Sequence, residues 1–508
     1  MTARMVIDPA FAVADVDERI FGSFVEHMGR AVYGGIYEPG HPTADADGFR
    51  GDVLELTREL GVTLVRYPGG NFVSGYDWED GVGPRERRPT RLDLAWRSIE
   101  SNEVGTDEFL AWAGKAGAEP MLAVNLGTRG IDAARNLVEY CNAPPGSRYA
   151  DRRAANGHPD PHGVGLWCLG NEMDGPWQIG HKTAVEYGRL AAEAGKAMRL
   201  VDPSIETCVA GSSNSAMPTF GAWEDTVLDL AWDSADYLSL HSYYDPDAYA
   251  DVDAYLACSR DLDRMIGTVV ATADAVAGRK RSRRRVNLSV DEWNVWHQRA
   301  NPHHTDTAGP FRSRPALAED THTLADALVV GCLLITLLRH ADRVKIACLA
   351  QLVNVIPPMR TLDGGPAWRQ TSFFPFAQAA RWGRGTVLRL EPDAPTYEVP
   401  DEGAVSVLEA AAVLDAAGGT VTLFAVNRAA DALPLDARLR DLDGVAVSEH
   451  LVLTDADLTA ANTAAAPGRV APARGRGAAV AGGHLTAELP ARSWNVLRLS
   501  GGVLGGGA

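Results

Sequence analysis

Positive charge is in short supply in this chain. Lys and Arg number 48 against 66 Asp and Glu, a formal charge of −18, so neither nucleic acid nor an anionic membrane is an expected partner. Long apolar runs are missing as well. No stretch reaches the roughly 18 residues that a membrane-spanning helix needs. Cysteine is sparse, at six in 508 residues, which excludes a disulfide framework, and no CxxC or zinc-type spacing appears. Cys168, Cys208 and Cys348 sit inside apolar strand-like runs, where a small thiol is simply buried. The first residues, "MTARMVIDPAFAVADVDERIFG", lack the basic, apolar and small-residue succession of a secretory signal, so a cytoplasmic location is expected. A neutral or small substrate fits these absences.

What is present is enough apolar material for more than one core. At 508 residues and 46% hydrophobic content the chain exceeds a single core, and a barrel plus a smaller module is expected. Apolar runs bounded by Gly, Pro or Asn alternate with helix-period segments. Eight strands are predicted at 20–26 (IFGSFVE), 63–67 (TLVRY), 120–125 (PMLAVN), 164–169 (VGLWCL), 206–210 (ETCVA), 237–241 (YLSLH), 286–290 (VNLSV) and 344–350 (VKIACLA). Helices are predicted between them, among them 183–199 and 323–339. Eight such units suggest an α/β fold, a (β/α)₈ TIM barrel whose working face lies where the strands end. A doubly wound sheet competes, but no Gly-rich phosphate loop follows the first strand.

Past residue 384 the texture changes. "TVLRLEPDAPTYEV", "GTVTLFAVNR" and "HLTAELPARSWNVLRL" alternate apolar and polar residues between turn signals, as in an antiparallel, jelly-roll-like β-sandwich. The expected division is 1–15 as N-terminal strand joining the sandwich, 16–384 as catalytic barrel and 385–508 as sandwich. The Ala-, Gly- and Arg-rich segment 460–483 reads as a loose surface loop. The basic run "GRKRSRRRV" at 278–286 reads as a solvated helix end.

Two glutamates stand out. Glu172, in "GLWCLGNEMDG", falls just past the fourth strand, and Glu292, in "NLSVDEWNVW", just past the seventh. Three strands apart in an eight-strand ring, they face each other across the cavity. Acids after strands often cap helices or pair with Lys and Arg. Here Asn171, Trp177, Trp293, Asn294 and Trp296 surround them, and sugar sites need such company, because aromatic faces cover C–H patches and amides hold hydroxyls. Paired carboxylates at a barrel mouth suit glycoside hydrolysis. A gap of about 5 Å gives a covalent intermediate and retention, and one above roughly 6.5 Å admits a water and gives inversion.

The motifs carry a resemblance. "FGSFVEHMGRAVYGGIYEPGHP", "LVRYPGGNFVSGYDWEDGVGP", "LWCLGNEMDGPWQIGHKTAVEYG", "YLSLHSYY", "LSVDEWNVW" and "IACLAQLVNVIPPM", in this order, resemble the α-L-arabinofuranosidases of glycoside hydrolase family 51. The resemblance covers nearly the whole chain. It implies a retaining barrel with a β-sandwich, no cofactor, a homo-oligomer (often a hexamer) and release of terminal arabinofuranose from arabinan or arabinoxylan fragments. Carried over by motif, Glu172 is the general acid/base and Glu292 the nucleophile. Glu26, Asn71, Asn171 and Gln351 correspond to ligands of the furanose hydroxyls, and Tyr243 to a hydrogen-bond donor to the nucleophile. Trp96 and Trp296 shape the subsites, and Arg66 and His241 support the two carboxylates. For some of these a blander reading exists: a structural Glu26–Arg66 ion pair, a core histidine at His241, plain packing at Trp96. His303 and His304 lack a third ligand at suitable spacing, and no metal is expected. Rival readings are a β-1,4-glucanase or β-xylosidase on the same barrel, and a non-catalytic sugar-binding protein.

Overall fold

The structure, a computed structural model, describes residues 2–300, 309–501, 503 and 504. Eight parallel strands close into a barrel: β1 (Gly22–Phe24), β2 (Leu64–Tyr67), β3 (Glu119–Val124), β4 (Leu166–Leu169), β5 (Glu206–Val209), β6 (Tyr237–Tyr244), β7 (Asn287–Val295) and β8 (Val344–Ala350). All eight predicted strands are present. Their lengths differ at the mouth of the barrel. β1 stops at Phe24, so Glu26 lies past it, whereas β6 and β7 run on to Tyr244 and Val295. Glu292 is therefore inside its strand and not beyond it. Both helices predicted after β4 and β7 are capped by the threonine that begins the predicted segment. Thr183 Oγ1 caps Ala184–Val201, and Thr323 Oγ1 caps Leu324–Arg339, each supplying an acceptor to a helix-end N–H that lacks one.

Barrel closure falls between β8 and β1, with Cys348, Leu349 and Ala350 opposite Gly22, Ser23 and Phe24. That pairing joins the two ends of the barrel sequence and places Gln351 beside Glu26.

The C-terminal region forms two large sheets and, among the described residues, two further two-stranded pairs. A seven-stranded sheet includes Leu408–Asp415, Thr420–Asn427 and Ser493–Ser500, and a four-stranded sheet includes Leu433–Leu439 and His484–Leu489. The N-terminal residues enter both. Ala3–Ile7 pairs with Leu433–Leu439, in parallel rather than antiparallel sense, and Ala12–Asp15 pairs with Thr386–Leu388. Side chains on a strand alternate between faces, and the seven-stranded sheet buries both. Ala410, Ala412, Leu423, Leu497 and Leu499 pack toward the four-stranded sheet. Ala411, Val413, Phe424, Val426 and Trp494 pack with the barrel helix Leu324–Arg339, which is nearly all apolar for that reason. Gly331 of the helix is where Trp494 lands: a Cβ there would lie 2.6 Å from the indole.

Segment 460–483 is not a loose loop. The Ala460 carbonyl accepts from Leu324 N, Asn462 and Val470 are buried, and Asn462 exchanges two hydrogen bonds with Val470. Ala460 is itself buried, whereas a Cβ added at Gly468, Gly477 or Gly482 would meet open space. The basic run ends the helix Ser259–Arg279, where Arg279 and Lys280 pair with Asp225 and Asp229.

Trp494 is fully buried, stacks on Phe424 at 5.6 Å and donates from Nε1 to Gln378 Oε1 at 2.7 Å. Trp494→Ala is expected to cost about 3–5 kcal/mol, read as a lower midpoint of denaturant unfolding; a midpoint unchanged within error contradicts this account of the barrel–sandwich contact.

Candidate active site

The site is built at the carboxyl ends of the strands, and local backbone decides which side chains reach it. Between β6 and β7, Ser239 is opposite Ser289 but His241 is opposite Glu292. One extra residue is accommodated on β7, a β-bulge. Neighbouring residues of a regular strand point to opposite faces, and a bulge re-aims them. Asp291 and Glu292 are consequently both inside the barrel, 1% and 5% exposed. On β6 the ordinary period of two suffices, and Ser239, His241 and Tyr243 all face the same carboxylates.

The turn after β4 is made differently. Gly170 has φ +86° and Glu172 φ +42°, a left-handed conformation that is unfavourable for a non-glycine residue and is concentrated at functional sites. The turn closes with Gly175 N on the Glu172 carbonyl. It brings Trp177 back so that its Nε1 donates to Glu172 Oε2 at 2.6 Å.

Arg66, at the end of β2, is the hub. Its Nη1 donates to Glu292 Oε1 at 2.8 Å, its Nη2 to Asn171 Oδ1 at 2.7 Å, and its Nε lies 3.1 Å from Asp291 Oδ2. It makes no structural pair with Glu26. Glu292 also accepts from Tyr243 Oη at 2.7 Å. His241 Nδ1 is 2.9 Å from Glu172 Oε1 and 3.6 Å from Glu292 Oε2, and its Nε2 is 3.4 Å from Asp291 Oδ1. His241 is thus buried but not merely a core histidine.

Electrostatics separates the groups. Burial raises the Glu172 carboxyl above its ordinary value and the Glu292 anion adds to it, against the donors His241 and Trp177. Burial opposes charge on His241, yet Glu292, Asp291 and Glu172 outweigh it and lift the ring to about 10. Glu172, His241 and Glu292 each place one ligand atom within 4.8 Å of the other two, near enough for a cation by distance alone. A metal ligand must be neutral imidazole, and a ring charged up to about 10 is a poor one.

Glu26 forms a second cluster. Its Oε1 accepts from Phe72 N at 2.9 Å and Trp96 Nε1 at 2.8 Å, and its Oε2 from Gln351 Nε2 at 3.2 Å. Gln351 Oε1 in return accepts from Glu26 N at 3.1 Å. Burial, with the Glu292 anion, pushes the Glu26 carboxyl up to about 8. Gly70, at φ +29°, permits this approach, since a Cβ there would sit 2.2 Å from Glu26 Oε2. Trp96 is therefore polar-bonded and not simply packed. Asn71 follows Gly70, half-buried, at the head of the short turn Asn71–Gly75. Trp296 meets Tyr243 edge to face at 5.2 Å.

The structure thus gathers Glu172, Glu292, Asn171, Arg66, His241 and Tyr243 in one cluster, and Glu26, Gln351 and Trp96 in another that is coupled to it through Glu292. Asp291 was not singled out from sequence, and Trp177 was named only as aromatic company of the glutamates, with no bond to Glu172 expected. A tryptophan five residues from Glu172 was a visible signal; nothing in a strand-like run announces a bulge. His303 and His304 lie outside the described residues.

Comparison with known proteins identifies the family. A model of the α-L-arabinofuranosidase 1 domain matches residues 56–260, and one of the α-L-arabinofuranosidase C-terminal domain matches residues 291–493. An intracellular exo-α-(1→5)-L-arabinofuranosidase of Halalkalibacterium halodurans is 55% identical, over 98% of this chain and 99% of its own. An exo-α-(1→6)-L-arabinofuranosidase of Bifidobacterium longum is 50% identical, over 91% of this chain and 90% of its own. Among solved structures, a family 51 α-L-arabinofuranosidase from Bifidobacterium longum superposes with a TM-score of 0.93 at 46% identity, over 98% of this chain and 99% of that one. Matched in sequence and in fold almost end to end, the chain belongs to the α-L-arabinofuranosidases of glycoside hydrolase family 51.

Proposed function

We propose that this chain is an exo-acting α-L-arabinofuranosidase that removes terminal non-reducing α-L-arabinofuranosyl residues from arabinan- or arabinoxylan-type oligosaccharides by a retaining double displacement. The observation that carries this reading is the pairing of Glu172 and Glu292, with carboxylate oxygens within 4.8 Å of one another and in unlike surroundings. Retention goes with a carboxyl separation of about 5–5.5 Å, and inversion with roughly 6.5–9.5 Å.

Glu292, held by the Arg66 guanidinium and the Tyr243 hydroxyl, attacks the anomeric carbon. Glu172, whose proton burial favours, gives it to the leaving oxygen. The arabinosyl ester neutralises Glu292, and the repulsion that favoured a protonated Glu172 is gone. Glu172 then takes a proton from the water that releases the sugar. Glu26, Asn71, Asn171 and Gln351 bind the furanose hydroxyls. Asn171 suits this, because its Oδ1 is committed to Arg66 while its buried Nδ2 has no protein partner. Such a donor is costly unless a ligand accepts from it. Trp96 and Trp296 flank the ring. Each step is a proton transfer or a nucleophilic attack, first by a side chain and then by water, so the chemistry calls for no cofactor.

The wider reading is a barrel over 16–384 with a sandwich of 1–15 and 385–508, acting in the cytoplasm on small oligosaccharides as a homo-oligomer. The intracellular relatives support the location, and no helix among the described residues is long and apolar enough to cross a membrane. The (1→5) activity of the Halalkalibacterium relative favours that linkage here.

Two experiments test the proposal. Glu172→Ala is expected to lower turnover of an activated aryl α-L-arabinofuranoside about 10²–10⁴-fold, with azide restoring rate and giving the α-azide. Glu292→Ala is expected to lose activity and to give only the inverted β-azide; unchanged rates in either variant overturn the assignment. Wild-type rates are expected to rank α-(1→5)-linked arabino-oligosaccharide above aryl β-xyloside and soluble cellulose, and preference for the cellulose contradicts the substrate assignment.

A further inference from the structure

Asp291 has no step in the proposed chemistry, yet few side chains at the site are held more firmly. It is 1% exposed. Its Oδ2 lies 3.1 Å from Arg66 Nε and 3.7 Å from Cys168 Sγ. Its Oδ1 accepts from Ser239 Oγ and stands 3.4 Å from His241 Nε2. Burying a third carboxylate beside two others is unfavourable unless it is paired and hydrogen-bonded. Arg66 and His241 outweigh the burial and hold its carboxyl below the ordinary value. The bulge in β7 lets it share the barrel interior with its neighbour Glu292.

The opposite edge of the His241 ring faces the two glutamates, with Nδ1 2.9 Å from Glu172 Oε1 and 3.6 Å from Glu292 Oε2. Each ring nitrogen therefore looks at carboxylate oxygen. A neutral imidazole has one N–H and would turn a lone pair toward one of these oxygens. Only the imidazolium presents a proton at both edges, hydrogen-bonded at Nδ1 and at ion-pair distance from Asp291 at Nε2.

We propose that Asp291 is a positioning residue for the hydrolysis: it keeps His241 doubly protonated, so that the ring holds a fixed positive charge between Glu172 and Glu292. The proposal rests on the roles assigned above to the two glutamates. The groups facing His241 are Glu172 and Asp174 from the turn after β4 and Asp291 and Glu292 from β7; the hydroxyl of Tyr243, on its own strand, donates to Glu292. Arg66 is the other cation bound to these carboxylates. With the imidazolium in place, the negative charge on Glu292 has a cation beside it, and Glu172 is stabilised as the anion that must act as base.

Asp291→Asn keeps the shape and removes the charge. His241 is then expected to lose its proton, and the two glutamates lose their shared cation. Both limbs of the kcat/KM–pH profile on an aryl α-L-arabinofuranoside should move to higher pH by about one unit, which is about a tenfold further loss on the acid limb. A move to lower pH would mean that Asp291 acts on the glutamates only as a nearby negative charge, and an unmoved profile would mean packing alone; either overturns the proposal. A second measurement needs no folded Asp291 variant. In ¹⁵N-histidine-labelled wild-type enzyme, the His241 resonances, assigned by their loss in His241→Gln, should show both ring nitrogens protonated from pH 6 to 8. A ring with one lone-pair nitrogen in that range refutes the proposal. If the wild type instead fails to cleave the arabinofuranoside, the functional reading falls, while the ring's protonation state still answers the structural claim.

Discussion

Three carboxylates, Glu172, Asp291 and Glu292, share one buried space with the cations Arg66 and His241. Two like charges 5 Å apart repel by about 3 kcal/mol at an effective dielectric of 20, and the desolvation of each ion adds to that cost. Without the guanidinium on Asp291 and Glu292, and the imidazole ring lying among all three, the acids would not remain together in a folded barrel. Their unequal shares of this compensation produce the chemistry. Glu292 receives Arg66 and Tyr243, while Glu172 receives His241 and Trp177 and remains raised by burial. One fold thus holds a base that attacks and an acid that waits.

The scaffold serves this arrangement from a distance. β8 closes on β1, and closure puts Gln351 against Glu26 across 325 positions of sequence. The sandwich in turn covers the side of the helix after β7 that faces away from the barrel. The seven-stranded sheet separates its two duties by alternation, Ala410 and Ala412 inward and Ala411 and Val413 toward the barrel. Small residues at these positions let both layers approach closely.

Much of this was legible in the sequence, for reasons particular residues make plain. The apolar run before Gly170 marked β4, and the motif after it marked Glu172, because strand ends and turns follow local composition. Thr183 and Thr323 marked helix starts by the same logic. The length of β6 and β7 was not legible, since His241, Tyr243 and Glu292 are polar and break the apolar pattern that delimits a buried strand. Asp291 was hidden by the alternation rule itself: a regular strand turns only one of two adjacent acids inward, and the extra residue on β7 admits both. The anchoring at Ala460, Asn462 and Val470 was hidden because a few buried residues in a run of exposed Ala and Gly leave no periodic signal.

The central claim is a covalent arabinosyl ester on Glu292, and the stereochemistry of the first product tests it most directly. Proton NMR during the first minutes of hydrolysis of an aryl α-L-arabinofuranoside should show the α-anomer of arabinofuranose before mutarotation supplies the others. The β-anomer appearing first would mean single displacement by water, and would contradict the account of two carboxylates within reach of one anomeric carbon.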